Sequence, residues 1–191
     1  MDQKKINEIK NVVKNILSGI RYDGKEMVNT QACLDYIEII KKIDIKVYKI
    51  SFKDLKKELE DFGAMMVRTK GVTRNIARIY LNSDKDPVFQ RFSLMHEFGH
   101  ILFDEYTTED FKDKLVVSSH INYRLFSIPD SDTDKNKYLQ REQYANIFAL
   151  ELLMPSTKIK ELKKVFSDDE MSVFFGVDKV AVKTRLDLLA D

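Results

Sequence analysis

The sequence has a single cysteine, Cys33, among its 191 residues, and it has no tryptophan. An intramolecular disulfide and a metal cage built from several thiolates are therefore excluded. Only three prolines and six glycines are present, which excludes the collagen-like and low-complexity classes. Cys33 lies in a stretch with helical spacing, where we expect it to be a small core residue.

Long hydrophobic runs are also missing. Uninterrupted apolar runs reach four residues, as at 64–67, whereas a membrane-spanning helix needs about 20. Residues 2–18 place their apolar side chains at helical spacing and lack the contiguous apolar region of a signal peptide. We therefore expect no membrane segment and a cytoplasmic protein.

Neither sign of charge dominates. Lysine and arginine together number 32, aspartate and glutamate 31, and the formal net charge is +1, so the chain as a whole does not attract nucleic acid. Residues 169–189 have the rhythm of a helix-turn-helix, with Gly176 at the turn and Arg185 among the basic residues of the second helix. Because no net basic face accompanies them, we expect a packing or substrate-docking role and no direct DNA binding.

Hydrophobic periodicity divides the chain into helices and a few strands. Helices are predicted over 2–18, 29–42, 87–103 and 138–154, with a short one over 52–60 and two or three more after Pro155. Strands are predicted over 45–48, 64–68 and 75–81, the last two as an antiparallel hairpin. We expect an α+β fold, mainly helical, with a small antiparallel sheet of about three strands beside helix 87–103. A single domain over 1–191 is predicted, with helical segments 1–43 and 156–191 at its ends.

The strongest functional signal is His96-Glu97-Phe98-Gly99-His100, an H-E-x-x-H motif on helix 87–103. Four helical steps bring the second imidazole to within about 40° of the first, so both rings can reach one metal ion. Glu97 then projects beside that ion, where a general base for water belongs. With only three histidines in the chain, shuffled sequences would contain this motif roughly 0.3% of the time. Imidazoles plus a carboxylate favour zinc, one ion per chain.

A catalytic zinc ion normally takes three protein ligands, and the spacing leaves the third open. The metzincin pattern would need a histidine at position 106, which is Tyr106. His120 is one candidate, although it lies in the irregular connection 104–136. Glu142 on the following helix is the more attractive candidate. Asn146 falls four residues later on the same helix face, where its side chain could hydrogen-bond a ligand histidine.

Three further side chains are candidates for other roles. Glu151 comes nine residues after Glu142, about 180° around the same helix, so we expect it to face away from the metal and to be solvated. His120 and Tyr123 lie in the long connection, where either could stabilise an oxyanion or contact a substrate. The alternative for these two is a surface histidine and a packed tyrosine.

Two blocks of the sequence resemble the ImmA/IrrE family of metallopeptidases. The first is R-F-S-L-M-H-E-F-G-H-I-L at 91–102, and the second is E-x-x-x-N-I-F-A-x-x-L-L-M-P at 142–155. The resemblance is looser over residues 30–190. It implies a gluzincin-like minimal metalloprotease fold in which Glu142 is the third zinc ligand. Asn146 stands where other gluzincins have aspartate.

The resemblance also reaches the strand that precedes the metal helix, through Ile79, Tyr80, Leu81 and Asn82. We expect residues 75–82 to form an edge strand beside the cleft, to which an extended substrate could add by main-chain hydrogen bonds. The implied substrate is a specific protein, a helix-turn-helix transcriptional repressor encoded nearby on a mobile element or in a stress locus. The alternative is a regulatory module that binds a repressor or toxin without hydrolysis, although such a binder has no need of Glu97.

Overall fold

The structure is a computed structural model that describes residues 2–55, 59–104, 115–116 and 133–190, without the side chains of 115–116 and 133–138. These residues contain seven helices and four strands. The helices are α1 (Gln3–Gly19), α2 (Thr30–Lys41), α3 (Pro87–Phe103), α4 (Thr133–Leu153), α5 (Ser156–Leu162), α6 (Asp168–Phe175) and α7 (Lys179–Asp187). The strands are β1 (Ile43–Ile50), β2 (Ala64–Thr69), β3 (Asn75–Asn82) and β4 (Leu115–Val116).

Local signals explain where several helices begin and end. The side chain of Asn29 accepts a hydrogen bond from the Ala32 N–H and caps α2. Asp86 caps α3 in the same way, and Pro87 occupies its first turn. Gly176 ends α6 in the left-handed conformation, at φ 61°, which costs glycine little. These ends agree with the helices predicted over 29–42 and 87–103. Within the described ranges no helix combines the length and apolar character needed to cross a bilayer.

The sheet is mixed and has the strand order β1-β3-β2-β4. β2 and β3 form the predicted antiparallel hairpin, in which Met66 pairs with Ile79. β1 runs parallel to β3 and pairs Val47 with the same Ile79, because β3 is inserted between the two strands that precede it. The α+β class is confirmed, whereas the prediction of a wholly antiparallel sheet is wrong.

β3 is an inner strand, so the expectation that residues 75–82 form a substrate-binding edge is wrong. β1 bonds one side of β3 along its whole length, and β2 bonds the other side from Ile76 to Leu81. Main-chain groups on both sides are therefore used within the sheet and cannot pair with an added peptide. The correction applies to Ile79, Tyr80, Leu81 and Asn82.

Asn82 has a structural role at the end of β3. Its side-chain amide donates to the carbonyls of Glu60, at 3.1 Å, and Phe62, at 2.9 Å. It thereby holds the segment that leads into β2. Of the short helix predicted over 52–60, residues 56–58 lie outside the described residues, whereas 52–55 form a bend and a turn, residue 59 is 3₁₀ and residue 60 lies in a turn.

Helices cover one face of the sheet and enclose the core. Side chains alternate along β3, so Ala77, Ile79 and Leu81 are buried on that face. α3 packs on β2 and β3, and α4 packs between α3 and α1. Cys33 is fully buried in this core, as predicted. The motif helix is thus held between the sheet and a second long helix.

Glu151 is buried, contrary to the expectation that it is solvated. It is 6% exposed and forms an ion pair with Arg185, which is 2% exposed. Arg185 also donates to the carbonyl of Met154 at 3.1 Å and to the hydroxyl of Ser156 at 2.7 Å. Glu151 thus contacts α5 and α7, which cover the side of α4 that the helical wheel assigned to solvent.

Candidate metal centre

The second half of α3 and the middle of α4 bring three predicted ligands together. His96, His100 and Glu142 are all buried, each no more than 3% exposed. The Nε2 atoms of the two histidines lie 3.0 Å apart. The Glu142 carboxylate oxygens lie 3.2 Å from Nε2 of His96 and 3.3 Å from Nε2 of His100. This buried cluster could hold a metal ion.

Both histidines direct Nε2 at the cluster because Nδ1 is bonded elsewhere. His96 Nδ1 donates to Oδ1 of Asn146 at 2.8 Å, the kind of contact that the position of Asn146 predicted. His100 Nδ1 donates to Oδ2 of Asp104 at 2.9 Å. When both Nδ1 atoms carry hydrogens and both rings are neutral, the lone pairs of the two Nε2 atoms point at each other. Such an arrangement needs a proton or a cation between the rings.

Two residues of this site were not predicted from the sequence. Asp104 follows the last residue of α3, with an extended backbone and a buried side chain. Arg141 immediately precedes Glu142 and donates to Oδ2 of Asp104 at 2.6 Å. The four-residue spacing between His100 and Asp104 is a signal that could have identified the carboxylate. Arg141 meets Asp104 only through the packing of α4 on α3.

The charges of the cluster are strongly coupled. Burial by itself lowers the pKa of His100, but the hydrogen bond to Asp104 and the contact with Glu142 outweigh it and raise this pKa to about 10. Burial by itself raises the pKa of Glu142, but the imidazoles of His100 and His96 lower it to about 2. Without an ion the cluster thus holds a proton on His100 beside an ionised Glu142, and a metal ion that binds here displaces that proton.

The structure describes some of the remaining candidate residues and not others. Glu97 follows His96 on α3, and its side chain is fully buried. His120 and Tyr123 lie outside the described residues, so their predicted roles in oxyanion or substrate contact stay predictions. Glu151 contacts Arg185 and Ser156 instead of the cluster.

Gly99 allows α4 to approach α3 closely enough for Glu142 to reach the histidines. A Cβ atom at Gly99 would lie 2.8 Å from the Cα of Ala145 and 3.2 Å from its carbonyl oxygen. These are backbone atoms, which cannot rotate aside as a side chain does. The glycine of the motif therefore sets the distance between the two helices that carry the ligands.

Replacing this glycine should separate the two helices. We expect Gly99→Ala to lower the free energy of unfolding by about 1–3 kcal/mol, because the added methyl overpacks the interface. Glu142 lies three residues before Ala145, so zinc affinity should fall as well. Urea unfolding and a zinc titration measure the two effects. Wild-type values for both would show that the interface relaxes without moving Glu142.

One known family matches this chain over most of its length. The model of the family Peptidase_M78, described as the IrrE N-terminal-like domain, matches residues 41–187. The matched region includes the whole sheet, α3 with its motif, and α4 with Glu142. No curated protein is similar enough to be counted as a relative. All residues of the buried cluster lie within the matched region.

Proposed function

Because this chain belongs to the Peptidase_M78 family of the IrrE N-terminal-like domain, we propose that it is a zinc-dependent endopeptidase that cleaves one specific protein. The family supports a metallopeptidase-type function. The buried cluster of His96, His100 and Glu142 is the observation that carries the proposal. The proposed substrate is a helix-turn-helix repressor in the cytoplasm, as the resemblance to ImmA/IrrE peptidases implies.

The spacing of the cluster supports zinc as the ion. Two ligand atoms that bind one zinc ion at tetrahedral angles lie about 3.3 Å apart, since each bond is about 2.0–2.1 Å long. The two Nε2 atoms lie 3.0 Å apart. The Nε2 atom of His96 lies 3.2 Å from one oxygen of the Glu142 carboxylate, and that of His100 lies 3.3 Å from the other oxygen. Two histidines and one glutamate also form a known donor set of catalytic zinc sites, which leave the fourth position open.

The chain's own residues can perform the steps of hydrolysis. A zinc ion held by His96, His100 and Glu142 would act as a Lewis acid that acidifies water and polarises the scissile carbonyl. Glu97 accepts a proton from the water whose oxygen attacks the carbonyl carbon. As the C–N bond breaks, Glu97 returns that proton to the leaving nitrogen. Burial of Glu97 keeps bulk water from competing for its carboxylate.

Co-expression with the product of the neighbouring gene, which we propose to be the repressor, tests the proposal. Wild-type protein should shorten the repressor to a defined fragment, and Glu97→Gln should leave it at full length. Casein should be cut slowly or not at all, because a peptidase that recognises one partner discriminates against unrelated proteins. A stable stoichiometric complex with an uncut repressor would instead favour the non-hydrolytic binding module.

A further inference from the structure

The two candidate histidine ligands are supported in different ways. His96 donates to a neutral amide, that of Asn146, which projects from α4. His100 donates to the carboxylate of Asp104, at the end of its own helix. Hydrogen bonds to an ionised acceptor are roughly twice as strong as those between neutral groups. The tautomer and ring orientation of His100 are therefore held more firmly by Asp104 than those of His96 are by Asn146.

Asp104 is itself held from two sides. Its backbone N–H donates to the His100 carbonyl at 3.1 Å, which closes the last turn of α3. Its Oδ2 atom accepts both the His100 Nδ1 hydrogen, at 2.9 Å, and an Arg141 guanidinium hydrogen, at 2.6 Å. The Asp104 side chain is 3% exposed, whereas that of Arg141 is 42% exposed. The carboxylate is thus buried and neutralised by a cation that reaches it from the surface.

The Asp104–Arg141 ion pair also connects the two helices that carry the candidate ligands. Arg141 and Glu142 are adjacent in α4, and Asp104 directly follows α3, four residues after His100. Any movement of α4 along α3 would strain the ion pair and the Glu142 contact together. The ion pair therefore lies where it can set both the orientation of His100 and the distance of Glu142 from it.

Given the zinc site of the proposed function, on which this inference rests, we propose that Asp104, anchored by Arg141, is a positioning residue that sets zinc affinity. Asp104 fixes the tautomer of His100 in which Nε2 is free to bind the metal, and it makes that nitrogen a stronger electron-pair donor to the metal. Arg141 acts through Asp104 and not on the metal itself.

Zinc affinity of the full-length protein, measured by competition with a chromophoric chelator, tests this proposal. Asp104→Ala should weaken zinc binding by about 10- to 100-fold, the usual effect of losing such a hydrogen-bond partner. Asp104→Asn keeps an acceptor oxygen without the charge, so its loss should be smaller. Asp35→Ala removes an exposed carboxylate on α2, hydrogen-bonded to Gln31, and should bind zinc like the wild type.

A double-mutant cycle tests whether Arg141 affects zinc binding through Asp104. Arg141→Met should weaken zinc binding in wild-type protein and have almost no further effect in Asp104→Ala, because Arg141 acts only through that carboxylate. Additive losses would overturn the proposal. The proposal is also overturned if folded Asp104→Ala binds zinc as tightly as the wild type while its zinc-free form melts at a lower temperature. In that case the ion pair stabilises the fold and has no effect on the metal site.

The failure of this inference is distinguishable from failure of the proposed function. If the wild-type chain binds no zinc, the proposed function fails. If the wild type binds zinc and both Asp104→Ala and Arg141→Met bind it equally well, only the positioning role fails. Because Arg141 is half-exposed, Arg141→Met should fold and keep the test valid even where Asp104→Ala does not.

Discussion

Glu97→Gln should retain zinc and lose most of its peptidase activity. Glutamine keeps the shape of glutamate and can still hydrogen-bond, but it cannot accept the proton of the attacking water. General base catalysis of this kind contributes roughly 10²- to 10⁴-fold, so cleavage of the proposed repressor substrate should slow by that factor. The cleavage rate is measured with purified peptidase and repressor. The zinc content of the wild-type and Glu97→Gln peptidases is measured by elemental analysis.

The control for this prediction is the metal itself. If Glu97→Gln and the wild type contain equal amounts of zinc, the fall in rate is caused by the loss of the general base. If the variant cleaves at the wild-type rate, Glu97 is not the base. If it loses zinc and rate together, its carboxylate helps to hold the metal instead.

Glu151→Ala should be strongly destabilising while leaving the metal ligands in place. The substitution leaves the guanidinium of Arg185 buried without its carboxylate. Removing one partner of a buried ion pair typically costs about 3–5 kcal/mol. At about 2–4 °C per kcal/mol for a chain of this size, the melting temperature should fall by roughly 6–20 °C. The folded variant should still bind zinc, because in the described part of the chain Glu151 contacts Arg185 and Ser156, which are not members of the cluster.

Two further variants separate this effect from a general loss of charge. Glu161→Ala removes an exposed partner of Lys158 and should cost less than about 1 kcal/mol. The double variant Glu151→Leu with Arg185→Met leaves no unpaired charge and should be more stable than Glu151→Ala. A loss below 1 kcal/mol in Glu151→Ala would show that water reaches Arg185 and compensates for the missing carboxylate.

Local patterns in the sequence were sufficient to predict the elements that carry the site. The apolar spacing of 87–103 predicted α3, and the four-residue spacing of the motif placed His96 and His100 on one face of it. The same helical spacing placed Asn146 on the face of α4 that carries Glu142. These predictions succeeded because each depends on geometry within a single helix.

The parts that could not be predicted depend on contacts between distant segments. The hairpin of β2 and β3 follows from local alternation, but the insertion of β3 beside β1 does not. The helical wheel separated Glu151 from Glu142 correctly and could not show that α7 would cover it with Arg185. Arg141 likewise meets Asp104 only after α4 has packed on α3. Periodicity shows which face is apolar, and it does not identify the neighbour.

The zinc content of the reconstituted wild-type chain, compared with that of Glu142→Ala, tests the proposed site most directly. We expect about one zinc ion per chain in the wild type, because three buried side chains converge on one point. Glu142→Ala removes one of these ligands and should lose the ion on dialysis at neutral pH. Absence of any transition metal from the wild type, or full zinc occupancy in Glu142→Ala, would contradict a zinc site built from His96, His100 and Glu142.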